Sequence, residues 1–367
     1  MEALNDPAIR TLLAQRLLAH YQHHGRDLPW RHTHDPYRIW LAEIMLQQTG
    51  VKSVAPYYQR FLNRFPTLAD LAKAPLEAVL SLWQGLGYYR RARHLHAAAQ
   101  QMMHDHQGTL PDQYDRLLRL PGIGPSTAGA ILAIAFGQDH AILDGNVQRV
   151  LARLLALEMP PDSTSGKKRL WEVARLLTPT GQAGFYAQAI MDLGAAVCRP
   201  RQPDCPVCPW SFWCQANAFG RPEAYPVTKS RVAKPHKYQF NALIIRPDGT
   251  LLLLPNDHSE LLSGLWHPPG SEFVLSPTPP DPEVVRQWVM QELDLNVALP
   301  VMLAPVHHIF THFRLTVHPM LCLWQSGEMA ATTPHRWIDP INDQTTPIAT
   351  LHRKVLQIIS NRQKAPS

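Results

Sequence analysis

The sequence predicts two domains of different class: a mainly α domain over residues 1–220 and an α+β domain over 238–367, joined by a linker at 221–237. Two observations predict this. Apolar residues recur at helical spacing as far as about Val197, whereas beyond Phe240 short alternating or continuous apolar runs flank turn residues. The stretch between is rich in proline and basic residues (Arg221, Lys229, Arg231, Lys234, Lys237), with only Glu223 opposing them. At 367 residues, 45% hydrophobic and 17% charged, the chain can bury ordinary cores. The formal charge of +6 favours a polyanionic partner. No apolar run approaches a membrane span and the first residues do not read as a signal peptide, so a cytoplasmic protein with no membrane partner is expected.

In chain order, residues 7–24 form a helix whose stripe holds Ile9, Leu12, Leu13, Leu17 and Tyr21. Leu28-Pro29-Trp30-Arg31 breaks it, leaving Trp30 either to stack on a base or to lid a core. The next helix places Glu43 on a face with Ile39, Ala42 and Leu46. An acid among apolar neighbours is either paired with an arginine or kept protonated by burial, which a general acid needs at neutral pH. From Ala78 to His104 there is no acidic residue, while Arg90, Arg91, Arg93, His94 and His96 cluster. That run is either a solvated helix face or a phosphate-facing surface. The glycine turn Gly85-Leu86-Gly87 carries Tyr88 and Tyr89 into it, one suited to packing and one to a stacked contact.

Leu120-Pro121-Gly122-Ile123-Gly124-Pro125 is too rich in glycine and proline for helix interior and reads as a tight turn. It feeds the small apolar run Ser126–Phe136, a buried helix with Pro125 in its first turn. Backbone N–H groups at such a junction suit a phosphate. Asp144 opens a further helix as an N-cap, and capping would keep it ionised.

Cys198, Cys205, Cys208 and Cys214 are separated by six, two and five residues, which suits metal ligation rather than disulfides. Four thiolates in one compact loop with a single Cys-x-x-Cys pair point to a [4Fe–4S] cluster, with zinc as the alternative. Cys322 lies in a strand-like segment and is expected in a core. In the second domain, Pro247-Asp248-Gly249 between two apolar runs signals a hairpin. His312–Val317 alternates as a half-buried strand, and Val284/Val285/Trp288/Val289 and Leu351/Val355/Ile358/Ile359 mark two helices.

The hairpin followed twenty residues after Gly124 by Asp144 resembles the endonuclease III superfamily of helix-hairpin-helix DNA glycosylases. Leu28-Pro29-Trp30, Glu43–Thr49, Gly85–Tyr89, Ile142–Val147, Met191–Ala195 and the four cysteines narrow the likeness to its MutY-type adenine glycosylases, over nearly the whole chain. The second domain is similar to that family's Nudix-type fold but lacks the hydrolase's Arg-Glu-x-x-Glu-Glu run, so no nucleotide hydrolysis is expected there. The resemblance implies a monomer that binds double-stranded DNA and hydrolyses the N-glycosidic bond of adenine opposite 8-oxoguanine or guanine. It implies that Glu43 is the acid, that Asp144 stabilises or captures the sugar cation, and that Asn146 assists. Trp30, Arg31, Leu46 and Gln188 would line the adenine pocket, with Gln48 and Tyr88 near the oxidised guanine. Gly122, Gly124 and Ser126 would face the DNA backbone. Related lyases carry a nucleophilic lysine where this chain has Ser126, so no Schiff base is expected. Phe310-Thr311-His312 stands where the family typically reads the lesion with Phe-Ser-His. The alternatives are an endonuclease III-like pyrimidine glycosylase/lyase and a non-catalytic iron–sulfur DNA-binding protein.

Overall fold

A computed structural model describes residues 2–228, 233–256, 262–343 and 345–363. The linker residues Lys229 and Arg231 therefore lie outside the described residues. The first half is helical: α1 (Pro7–His24), α2 (Pro36–Leu46), α3 (Val51–Arg64), α4 (Leu68–Lys73), α5 (Leu76–Trp83), α6 (Arg90–Asp105) and α7 (Tyr114–Leu118). Next come α8 (Pro125–Phe136), α9 (Gly145–Leu155), α10 (Thr164–Leu177), α11 (Ala183–Asp192) and the short α12 (Gln215–Ala218). The second half holds β1 (His236–Ile245), β2 (Leu251–Pro255), β3 (Trp266–His267), α13 (Pro282–Leu293), β4 (Leu295–Val297), β5 (Val301–Met302), β6 (Val306–Ile309), β7 (Arg314–Gly327), β8 (Arg336–Ile338) and α14 (Thr350–Gln363).

By contacts the chain divides into two compact units, residues 1–73 with 94–231, and residues 74–93 with 232–367. The first unit is built from the caps and stripes that the sequence carries. Asp6 and Asp35 cap α1 and α2, each with a proline in the first turn. The core gathers Leu13 and Leu17 of α1, Ile39 of α2, Val147, Val150 and Leu151 of α9, and Ile190 of α11. Leu12, expected on the buried stripe of α1, is 38% exposed, because the stripe turns toward Leu13, Ala14 and Leu17. Trp210 is buried in the same core, where its indole N–H donates to the Leu13 carbonyl at 2.9 Å.

The second unit is a mixed sheet in the order β3-β2-β1-β7-β4, with β5 and β6 also paired to β7 and β8 to β2. β1 and β7 run parallel, pairing His236 with Arg314 through Ile245 with Leu323. β1 and β2 form the hairpin around Pro247-Asp248-Gly249. α14 covers one face of the sheet with Leu351, Val355 and Ile359, and α13 the other with Val285 and Val289. His312 precedes the strand rather than opening it, and β7 buries Leu315, Thr316 and Val317 in succession. It is a central strand covered on both faces, so the half-buried alternation gives way to a continuous run. Cys322 is fully buried in β7.

Residues 74–93 belong with this second unit. Leu80 lies so close to Gly264 that an added Cβ would sit 2.9 Å from it, and the Arg336 guanidinium binds Glu77 through both nitrogens. Arg91 is buried, not a solvated or phosphate-facing cation. Its guanidinium lies over Trp83, it donates to the Gly87 carbonyl at 3.3 Å, and burial pulls its pKa down to about 10. Tyr89 packs inside at 4% exposure while Tyr88 is 47% exposed. Among the described residues no helix is long and apolar enough to cross a membrane.

Candidate active site

Three pieces of the first unit meet at one cavity of about 330 Å³. α2 supplies Glu43, whose carboxyl is half-buried in the wall and makes no hydrogen bond or ion pair within the described residues. Burial, and then the nearby Asp144 carboxyl, push the Glu43 pKa up to about 7, with Arg31 opposing. The alternative of a glutamate paired with an arginine does not hold, because the guanidinium of Arg31 is bound elsewhere.

The hairpin sets the second piece. Gly122 has a left-handed φ of 80°, and a side chain there would meet His94 at 2.9 Å. Gln47, at the end of α2, donates to the Gly122 carbonyl at 3.1 Å and the Thr127 hydroxyl at 3.2 Å, fastening the hairpin to the helix that carries Glu43. Gly124 caps α8, and open space lies where its side chain would be. Gly129 then lets the segment before Asp144 cross α8 closely, since a Cβ there would come within 2.3 Å of the Ala141 carbonyl oxygen. The Ser126 hydroxyl accepts the Leu143 N–H at 2.9 Å, so this side chain positions the residue before Asp144.

Asp144 caps α9, accepting the Val147 N–H at 2.7 Å and the Asn146 amide at 3.2 Å. Asn146 is held in turn by Arg149, which also donates to the Gly194 carbonyl at 2.7 Å. The cap does not keep the Asp144 pKa at its ordinary value. Burial raises it, and the hydrogen bonds from Val147 and Asn146 reverse only part of that rise. Asp144 is still the more acidic partner, because its anion has N–H donors and Glu43 has none.

α11 and the loop before α2 close the cavity. Gln188 receives the Tyr21 hydroxyl proton at 2.7 Å, and Trp30 stands edge-on to Tyr58 at 5.3 Å. Arg31 binds Asp192 through both terminal nitrogens at 2.7 and 2.6 Å, and Arg26 binds the same carboxylate. Burial alone would raise Asp192, but the hydrogen bonds from Arg31 and Arg26 outweigh it and hold the pKa below its ordinary value. The sequence reading assigned no role to Asp192, Arg26 or Arg149. The signal was available for Asp192, an acid that follows the apolar run Ala189–Met191 and precedes Leu193, as Glu43 is an acid among apolar residues.

The cavity thus gathers Glu43, Asp144, Asn146, Trp30, Arg31, Leu46 and Gln188. It does not include Gln48, which is exposed at a left-handed φ of 57°, nor Ser126, Gly122 or Gly124. Tyr88 is in the second unit, as are Phe310, Thr311 and His312. Thr311 and His312 are exposed on the turn between β6 and β7, above a half-buried Phe310 that stacks on Phe313.

Cys198, Cys205, Cys208 and Cys214 line one small cavity with Arg153. The Arg153 guanidinium is buried and donates to Cys198 Sγ at 3.3 Å and to the carbonyls of Tyr225, Arg199 and Pro200. Among the described residues it meets no carboxylate, and a buried cation of that kind fits an anionic centre such as four thiolates. Among the described residues no three His, Cys, Asp or Glu side chains are gathered tightly enough for a single metal ion.

Comparison with known proteins places this geometry. Residues 41–176 match the HhH-GPD superfamily of base excision DNA repair proteins, and residues 241–357 match the NUDIX domain. The adenine DNA glycosylase of Buchnera aphidicola (subsp. Acyrthosiphon pisum, strain APS) is 35% identical over 84% of this chain and 86% of its own length. That of Homo sapiens is 33% identical over 98% of this chain and 76% of its own. The chain belongs to the adenine DNA glycosylase family. A solved thermostable thymine-DNA glycosylase superposes with a TM-score of 0.53 at 31% identity, covering 57% of this chain and 97% of that one. An endonuclease III trapped covalently on DNA shares the fold at a TM-score of 0.50 and 23% identity, covering 58% and 97%. The helical unit of this glycosylase therefore has the helix-hairpin-helix fold, and the match to the NUDIX domain falls on the sheet unit. Glu292, the acid nearest to where the hydrolase run would stand, is exposed near the end of α13.

Proposed function

We propose that this glycosylase removes adenine mispaired with 8-oxoguanine or guanine in double-stranded DNA, by hydrolysing the N-glycosidic bond without cutting the backbone. One observation carries the reading. A carboxyl poised near neutrality, Glu43, and a capped, more acidic carboxyl, Asp144, share one cavity behind a helix-hairpin-helix. To reach that cavity the adenine must leave the base stack. Backbone N–H groups at Gly122, Gly124 and Ser126 hold the DNA phosphates meanwhile. Trp30, Arg31, Leu46 and Gln188 orient the base, with Arg31 fixed by Asp192.

Glu43 gives its proton to adenine N7. The bond from N9 to the sugar then breaks, its electron pair leaves with the base, and an oxocarbenium-like sugar remains. Asp144, steadied by Asn146, stabilises or captures that cation, and water completes hydrolysis. Ser126 offers no amine, so no imine forms and no strand is cut. Gln48, Tyr88 and the Phe310-Thr311-His312 turn meet the oxidised guanine. Cys198, Cys205, Cys208 and Cys214 would hold a [4Fe–4S] cluster, whose role here is structural, with Arg153 as its buried counter-charge. The protein works as a cytoplasmic, nucleoid-associated monomer, with residues 1–220 catalytic, 221–237 a linker and 238–367 reading the lesion. The test is a labelled duplex with adenine opposite 8-oxoguanine. Strands should break only after later alkali or heat. Cleavage without alkali, or no abasic product at all, would overturn the reading.

A further inference from the structure

The turn at Phe310–Phe313 is flanked by cations that the reaction described above does not use. Lys234 donates its ammonium to the Phe310 carbonyl at 2.8 Å. Lys237 sets its ammonium over two rings, 4.9 Å from the centre of Phe313 and 5.4 Å from that of Phe273. Arg314 begins β7, bonded through its N–H to the Pro235 carbonyl at 2.9 Å and paired in register with His236. Its guanidinium is exposed and makes no side-chain hydrogen bond within the described residues. None of the three meets a carboxylate within the described residues. Nor does the surrounding chain offer one: there is no acidic residue between Asp294 and Glu328, or from Arg231 to Ile245. Glu272, beside Phe273, is exposed and forms no ion pair with them.

Exposed lysines usually sample many rotamers. Here the two ammonium groups are held, one by a carbonyl and one by two phenyl faces, and both of these holds are neutral. The full positive charge therefore remains to be neutralised from outside, at a cost in ordering that is already met. The exposed Thr311 and His312 lie between these cations in the chain. A group that the turn contacts would bring its own phosphates alongside.

We propose that Lys234, Lys237 and Arg314 form a binding site for the phosphodiester backbone beside the Phe310-Thr311-His312 turn, on the strand that carries the oxidised guanine. This rests on the proposed function for the choice of strand, but not for the contact with phosphate. The site positions the turn and reads no sequence, so losing it should weaken binding to any duplex about equally.

The experiment titrates the full-length protein onto an undamaged duplex and onto one containing 8-oxoguanine opposite adenine, at several salt concentrations. Neutralising one phosphate contributes about 0.9 to the slope of log K against log salt. Lys234→Gln/Lys237→Gln/Arg314→Gln should therefore lower that slope by roughly 2 to 3 on both duplexes. The preference between the duplexes should stay within about twofold, and Lys237→Arg should keep the native slope. Arg314→Gln alone should lower the slope by about 1, and it carries the test if the triple variant does not fold. An unchanged slope in the folded triple variant or in Arg314→Gln overturns the proposal, leaving these residues as supports of the turn. If the wild type fails to release adenine but the slopes still fall in the variants, the functional reading fails and the phosphate site stands.

Discussion

Glu43 and Asp144 differ in their hydrogen bonds more than in their burial. Both carboxyls are pushed upward by desolvation, yet only Asp144 receives donors, from Val147 and Asn146. On the proposed function, that asymmetry makes Glu43 the acid and Asp144 the anion of the pair. Glu43→Gln and Asp144→Asn should each slow single-turnover excision by roughly a hundredfold to ten-thousandfold while leaving duplex binding nearly intact. The acid form of Glu43 exists below its pKa of about 7, so the excision rate should fall as pH rises through that value in the wild type. Stability follows the same sign. The folded protein holds this proton more tightly than the unfolded chain, whose carboxyl titrates near 4.5, so stability is lost as pH rises from about 4.5 to about 7. Glu43→Gln should therefore melt higher than the wild type above neutrality, by at most roughly 1–3 kcal/mol, and lose that advantage in acid. Equal melting curves at pH 8 would remove the buried-acid account. Asp192→Asn works in the opposite direction. It strips the shared anion from Arg31 and Arg26 and should cost roughly 3 kcal/mol in denaturant titrations, with a weakened pocket.

At the scale of elements, the hairpin acts on the chemistry through α8. Gln47 joins it to the helix of Glu43, and Gly129 with Ser126 brings in the segment of Asp144, so one motif spaces both carboxyls. Ser126→Lys removes the bond to the Leu143 N–H and places an amine there. It should lower adenine excision several-fold yet yield an adduct trapped by borohydride, absent from the wild type and read on a denaturing gel. Gly194 is the second close approach. A Cβ there would sit 2.7 Å from the Asn146 Cβ, so Gly194→Ala should cost about 1–3 kcal/mol and displace Asn146 from Asp144, lowering excision with it. The cysteine loop should bring about four irons per chain and a brown colour on purification. A colourless, zinc-loaded and fully active protein would exclude the cluster.

Across the whole molecule, the cavity of Glu43 and Asp144 and the Phe310-Thr311-His312 turn fall in separate units. On the proposed function, discrimination has to come from the base opposite, because adenine itself is a normal base. Thr311→Ala/His312→Ala in the full chain should reduce the preference for 8-oxoguanine:adenine over guanine:adenine by about tenfold or more, with little change in excision from guanine:adenine. An unchanged ratio would return lesion reading to Gln48 and Tyr88. Thr311, which stands where the resemblance expects a serine, is exposed. Cutting the chain at about Tyr238 is the harsher test. Residues 74–93 pack with the sheet unit through Glu77, Leu80 and Gln84, and removing their partners should lower the melting temperature as well as the preference.

The sequence by itself determined the elements and the chemistry borne by local patterns. The cap Asp144, the hairpin glycines, Pro125 at the start of α8 and the change of period after Phe240 act over a few residues. Such signals depend on backbone geometry that the chain carries with it. Glu43 was legible for the same reason, because helical spacing alone sets an acid among apolar neighbours. What the sequence left open depended on how segments fold onto one another, whether near or far along the chain. Arg91 reads as one of a row of surface cations until Trp83 and the Gly87 carbonyl enclose it, and β7 reads as half-buried until α13 and α14 cover both faces. Asp192 becomes the anchor of Arg31 only when α11 meets the loop before α2, a separation of 161 residues. The tertiary structure decided these because burial and ion pairing are properties of where segments meet, and desolvation can reverse the charge preference that a residue shows in its local sequence.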